Sequence, residues 1–278
     1  MKLITDAGSG KTSWALVNNE GVLIGKFEAG GLNPMIYDKE TLSKNIARNS
    51  EMLHHAHYIK EIHFYGTGLI DKAAIEKLQL ILNEIFDQAE INIYTDMLAA
   101  ARATAGNEAG IVSVLETGSN SGFYDGEKII KSVGHFGYLL MDEASENWFG
   151  KQLLRDYFFD KMPKNLSQLF KQEFDVNAKN VMMHLYQKTQ PNTYLASFSS
   201  FMKNHYKSKY IKSLLLRGFD KFITQQLSTY KNYKETPLHF VGSIAYHFQT
   251  ELKEIIRKHQ LIEGKIIKNQ LEELVKYH

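Results

Sequence analysis

The sequence predicts an α/β fold built twice along one chain. Two observations carry that prediction. Strand-like apolar runs alternate with stretches of helical periodicity through the first hundred residues. The same opening (strand, glycine turn, strand, turn, strand) then returns near residue 109. Two such halves imply a duplicated fold around a central cleft, divided near Asn107 into residues 1–107 and 108–278, with the last helix able to pack back on the first half.

The elements follow in order. "LITDA" and "KTSWALVNNEGVLIGKFEAG" read as three strands joined by tight turns, the second turn marked by "NNEG". "DKETLSKNIARNSEMLHHAHY" reads as a helix and "IKEIHFYGTG" as a strand ending in glycines. "DKAAIEKLQLILNEIFDQA" is helical, "EINIYTD" a strand, and "MLAAARATAG" a helix closed by Gly106. The second half opens with "AGIVSVLETGSNSGFYDGEKIIKSVG", whose Asp125-Gly126 step is a hairpin turn. In "LHFVGSIAYHF" a strand runs through Gly242-Ser243 into a helix.

The triplet Gly10-Lys11-Thr12 spells the end of a P-loop. A P-loop also needs a glycine five places earlier, because a long loop of backbone N–H groups must wrap the phosphates. Thr5, inside a strand, stands there instead. The turn fits two other readings. It could be an ordinary hairpin with a solvated Asp6, or a hairpin whose N–H groups hold a terminal phosphate while Asp6 orients hydrated Mg2+.

Composition narrows the classes. Of 278 residues, 44% are hydrophobic and 23% charged, as in globular proteins, and the net charge of +2 speaks against a dominant nucleic-acid surface. Lys, Phe and Tyr crowd residues 150–235, where apolar residues recur at helical spacing. That pattern reads as amphipathic helices with solvated lysines. No apolar run is long enough to span a bilayer, and "MKLITDAGSG" lacks a signal-peptide core, so a cytoplasmic location without membrane partners is expected. The absence of cysteine excludes disulfides and thiolate metal sites. His54, His55, His57 and His63 lack a carboxylate ligand pattern and read as solvated helix-end histidines.

Several short signals occur in a fixed order: Asp6 with Gly8-Ser9-Gly10, "GGLNP" at 30–34, "YGTG" at 65–68, "YTDMLAAARA" around Asp96, "LETGSNSGFYDG" at 115–126, "GHFGYLLMDEAS" at 134–145 and "FVGSIAYHF" at 240–248. In this order and spacing the chain resembles the N-acetylglucosamine kinase-like ATPases, which include the benzoyl-CoA reductase activator proteins, over its whole length. They belong to the actin-like, sugar kinase and heat-shock ATPase superfamily. The resemblance implies duplicated ribonuclease H-like (actin-like ATPase) domains with an interdomain cleft. It also implies an ATP- and Mg2+-dependent kinase of N-acetylglucosamine or a related amino sugar, and allows a homodimer.

The resemblance implies roles as well. Asp6 and the turn Gly8, Ser9, Gly10, Lys11 and Thr12 would hold the terminal phosphate and Mg2+. Thr117-Gly118-Ser119-Asn120 would meet it from the other domain, Ser119 and Asn120 also approaching the sugar. Gly242 and Ser243 would lie against adenosine, with Gly218 facing the nucleotide. Asp96 would be the general base, although a carboxylate at that place is also an ordinary helix N-cap. Asn33 and Asp142 would bond the sugar, and Gly134 to Gly137, with His135 and Phe136, would pack beneath its ring. For Asp142 the competing reading is again a helix N-cap.

The chain departs from the family pattern at three places. Gly10 replaces a threonine, Glu116 stands where the second turn has glycine, and Met141 and Glu146 flank a motif normally richer in glycine. Two expectations follow: a working kinase with altered affinity, or a degenerate member that binds sugar or nucleotide with little catalysis. The iron–sulfur activator branch needs cysteine ligands, and the chain has none.

Overall fold

A computed structural model describes residues 1–133 and 136–278. It divides into two compact units, residues 1–107 with 269–278, and residues 108–268.

In the first unit β1 (Lys2–Ala7), β2 (Lys11–Val17) and β3 (Leu23–Gly30) form an antiparallel meander. After α1 (Lys39–Ala47) and α2 (Ser50–His54), β4 (Glu61–Gly66) returns parallel to β1. Next come α3 (Lys72–Ile85), β5 (Glu90–Thr95) parallel to β4, and α4 (Asp96–Ala105). The sheet order is β3-β2-β1-β4-β5. Leu3, Trp14, Phe64, Leu78 and Leu82 form its dry core. Each large apolar side chain removed from water there contributes about 2 kcal/mol.

The helix expected over residues 38–58 is broken in two. Arg48 ends α1, Asn49 starts α2, and residues 56–58 form a single 3-10 turn. Asn49 and Ser50 favour caps over helix interiors, which explains the break. His54 and His57 are exposed, but His63 is not the solvated helix-end residue the sequence suggests: it is buried in β4.

The second unit repeats the plan. β6 (Gly110–Leu115), β7 (Ser119–Tyr124) and β8 (Ile129–Ser132) form the meander. Helices then fill one long crossover: α5 (Glu146–Phe158), α6 (Lys164–Glu173), α7 (Ala178–Tyr186), α8 (Pro191–Ser197), α9 (Ser200–Asn204) and α10 (Lys209–Gln225). Their Phe170, Phe198, Phe201, Phe219 and Phe222 are core residues. β9 (Leu238–Val241) returns parallel to β6, followed by α11 (Ser243–His247), α12 (Gln249–Lys258) and β10 (Glu263–Ile267). The order β8-β7-β6-β9-β10 matches the first sheet strand for strand.

β10 carries no clear strand signal in sequence, being five residues long with Gly264 inside it. That glycine is needed, since a Cβ there would stand 2.7 Å from the Leu238 carbonyl oxygen on β9. The chain closes with α13 (Leu271–Tyr277), which packs on β1, β2 and α4 of the first unit. Among the described residues no helix is long and apolar enough to cross a membrane.

Candidate functional site

Each sheet collects its candidate residues at the carboxyl edge of its parallel strands, the edge where α/β sheets bind ligands. In the first unit, β1 brings Asp6 beside Tyr65 of β4 and, one strand further, Tyr94 of β5. Asp96 follows β5 directly and opens α4. It is not the N-cap: Thr95 Oγ1 accepts the Leu98 N–H at 3.3 Å, while Asp96 Oδ1 accepts the adjacent Met97 N–H at 2.7 Å. Burial holds the Asp6 carboxyl above its usual range, the negative charge of Asp96 adds to that, and a hydrogen bond from Gln270 works against it.

The first turn is pinned at its base and open at its tip. The Gly8 N–H donates to the Lys11 carbonyl at 2.9 Å, and the Asn33 amide donates to Ser9 Oγ at 2.8 Å. Tyr37 OH donates to the Ser9 carbonyl at 2.9 Å. Gly31 passes so close that a Cβ on it would meet the Ser9 carbonyl at 1.9 Å. Gly10 is exposed with nothing near it, and among the described residues neither Ser9 nor Gly10 donates its N–H to a backbone acceptor. Lys11 lies at the surface, 2.5 Å from Glu28, whereas Thr12 is buried and its hydroxyl meets no partner.

Asn33 is 6% exposed, accepts the Met35 N–H, and faces Gly68, whose φ of +77° and missing Cβ make room for its amide. It thus connects "GGLNP" and "YGTG" to the first turn.

In the second unit the turn Glu116–Gly118 follows β6, and Gly242 follows the neighbouring parallel strand β9. The Glu116 N–H closes the turn onto the Gly118 carbonyl at 2.9 Å, and the Thr117 and Gly118 N–H groups donate to no backbone acceptor among the described residues. The turn's other carbonyls accept from the start of α5, Glu146 N–H to Glu116 at 2.7 Å and Asn147 N–H to Thr117 at 3.1 Å. Asp142, 3% exposed, braces it from beneath. Its Oδ1 accepts the Ser119 N–H at 3.1 Å and its Oδ2 accepts the Asn147 amide at 2.8 Å. Asp142 is not the N-cap of α5 either; Ser145 holds that place, its Oγ accepting the Trp148 N–H.

Asn120 is half-buried and accepts the Ser121 N–H, while the buried Ser119 hydroxyl meets no partner. Ser243 donates its hydroxyl to Glu146 Oε1 at 2.7 Å. At Gly242, φ is +117° and a Cβ would stand 2.5 Å from Glu116 Cγ, so the glycine makes room for the chain's own turn. The expectation that Gly218 faces a nucleotide is corrected: it is buried in α10, and Phe149 and Trp148 fill the space its side chain would take. Phe136 is 67% exposed and Gly137 has φ +70°, while Gly134 and His135 lie outside the described residues.

These residues fit the groups the resemblance implies. Two turns present backbone N–H groups that meet no backbone acceptor among the described residues, as phosphate oxygens require. Among the described residues no three or more His, Asp or Glu side chains converge as a metal cage. Asp6 and Asp96 instead form a mutually repelling pair, which suits Mg2+, a cation that keeps most of its waters and takes one or two carboxylates.

The two-unit α/β fold is that of the actin-like ATPases. No family model matches the chain, and no curated protein matches it. Among solved structures it is similar to a candidate N-acetylglucosamine kinase from Porphyromonas gingivalis, with 33% identity, TM-score 0.94, and coverage of 100% of this chain and 98% of that one. The chain belongs to the N-acetylglucosamine kinase-like family. A candidate N-acetylglucosamine kinase from Chromobacterium violaceum (16% identity, TM-score 0.74, 99% and 98% coverage) shares the fold. So does a ROK family glucokinase from Streptomyces griseus, solved with glucose and AMPPNP (13% identity, TM-score 0.58, 99% and 97% coverage).

Proposed function

We propose that the protein transfers the terminal phosphoryl group of ATP to a hydroxyl of N-acetylglucosamine or a related amino sugar. The observation that carries this reading is the full-length likeness to a candidate N-acetylglucosamine kinase. The Asp6–Asp96 pair at one strand edge and the open N–H groups of the two turns supply the chemistry it needs.

Phosphoryl transfer is mostly positioning and charge neutralisation. Asp96 takes the proton of the attacking hydroxyl as its oxygen bonds to phosphorus and the bond to the ADP oxygen breaks. Asp6 would hold hydrated Mg2+, whose positive charge would offset that of the phosphate oxygens. The N–H groups of Ser9, Gly10, Thr117 and Gly118 bind phosphate oxygens, and Asn33, Ser119 and Asn120 bind the sugar. Asp142, with both carboxylate oxygens engaged inside the second unit, holds the turn rather than the sugar. Phosphorylation of a panel of hexoses and N-acetylhexosamines with Mg-ATP tests the reading; no turnover on any of them ends it.

A second reading has one observation behind it. Glu116 lies against Gly242, where an adenosine would approach the backbone, so its carboxylate would stand near a polyphosphate. That favours a binding protein with little turnover. Glu116→Gly measured beside wild type separates the two: a large gain in ATP binding over a wild type that barely binds supports the second.

A further inference from the structure

Gln270 stands just before α13 and reaches back across 264 positions to the end of β1. Its side-chain Nε2 donates to Asp6 Oδ1 at 2.7 Å. The residue is only 8% exposed, and its Oε1 is buried with no partner in the protein. A carboxylate only accepts hydrogen bonds, so the amide must turn its NH2 to Asp6, and that fixes Oε1 as the acceptor left over. An unpartnered buried acceptor is costly to keep and calls for a donor.

The helix that follows Gln270 packs on both elements that carry the acidic pair, β1 with Asp6 near its end and α4 with Asp96 at its start. Buried Leu271 and Leu274 fasten it there. The amide is therefore held by a docked helix and not by a free tail.

We infer that Gln270 is the positioning residue of the magnesium site: its Nε2 fixes the orientation of the Asp6 carboxylate that would hold the hydrated cation. The inference rests on the proposed kinase reading. A cation that keeps its waters and takes few carboxylates depends on how those carboxylates are oriented, and an amide orients Asp6 without adding negative charge to a pair that already repels.

The test compares wild type with Gln270→Leu and Leu274→Ala. Mn2+ binding in the presence of ADP is followed by electron paramagnetic resonance, beside the Mg2+ dependence of kcat and the KM for sugar. Gln270→Leu should weaken Mn2+ binding about tenfold and raise the Mg2+ needed for half-maximal rate by a similar factor, with sugar KM unchanged. Leu274→Ala should lower Tm while leaving Mn2+ affinity near wild type. Equal Mn2+ affinity in wild type and Gln270→Leu overturns the inference while leaving the kinase reading intact, as does an equal loss in both variants. A wild type that binds no Mn2+ with ADP and phosphorylates no sugar overturns the kinase reading, and the inference with it.

Discussion

Asp142 holds Ser119: its Oδ1 accepts the Ser119 N–H at 3.1 Å from a position 23 residues later in the chain. With Asn147 on the other oxygen, one buried carboxylate ties the second turn to the start of α5. Asp142 also has φ +71°, a conformation that aspartate tolerates better than most residues.

Asp142→Ala should therefore destabilise the protein by roughly 2–3 kcal/mol, since it strands a buried amide and a buried N–H together. Urea denaturation reads this as a lower midpoint at unchanged slope. A midpoint like that of wild type would mean the turn stands without its brace.

Asp96→Asn should lower kcat by at least about a hundredfold and leave sugar affinity nearly unchanged, as expected when a general base is lost and the fold is kept. Thr95, not Asp96, caps α4, so the helix should survive the change. Normal turnover at saturation with lost sugar binding would move Asp96 out of the base role.

Asn33→Ala should raise the sugar KM and, because Ser9 loses the Asn33 amide, raise the KM for ATP to a lesser degree. Steady-state kinetics with each substrate varied checks both effects. An unchanged sugar KM would remove Asn33 from the site.

Acid should weaken the first unit through His278. Its ring stacks on His63 with centroids 3.6 Å apart, and its Nε2 lies 2.7 Å from the Tyr65 hydroxyl. That hydroxyl already accepts from Arg102 at 2.7 Å, so it donates to His278 and favours the neutral ring. Burial, with His63, Arg102 and Lys2 adding positive charge, pushes the His278 pKa down to about 3. Burial lowers His63 too, against the pull of Glu61, and burial raises Tyr65 to about 12. Both histidines take up protons less readily in the fold than when it opens. The contribution of His278 is thus fully present above the unfolded pKa of about 6.5 and is lost as pH falls below it toward 3, and that of His63 is lost in the same direction. Denaturation midpoints between pH 7.5 and 4.5 should fall less steeply in His278→Gln than in wild type. Equal slopes would place the acid sensitivity elsewhere.

The sequence carries much of this architecture because period and punctuation agree locally. The meanders, the repeat near residue 109, and Asp96 directly after β5 all come from short-range pattern, whereas Asp6, expected just past a strand, lies within β1. What it does not carry is long-range or one residue fine. Whether Thr95 or Asp96 caps α4 is a matter of one position, and both residue types make good caps. Gly218 looks like an open glycine until Phe149 is folded against it. Gln270 sits in a polar stretch with no pattern of its own, and only its reach to Asp6 gives it meaning.

The placing of α13 also bears on how the chain comes off the ribosome. Residues 2–107 supply the whole first sheet, yet the segment that covers β1 and α4 is synthesised only after the entire second unit. Until then the first sheet lacks Leu271 and Leu274, and Asp6 lacks its amide. A growing chain would therefore hold a finished second unit before it holds a finished first one, and the acidic pair would gain its amide only after that second unit.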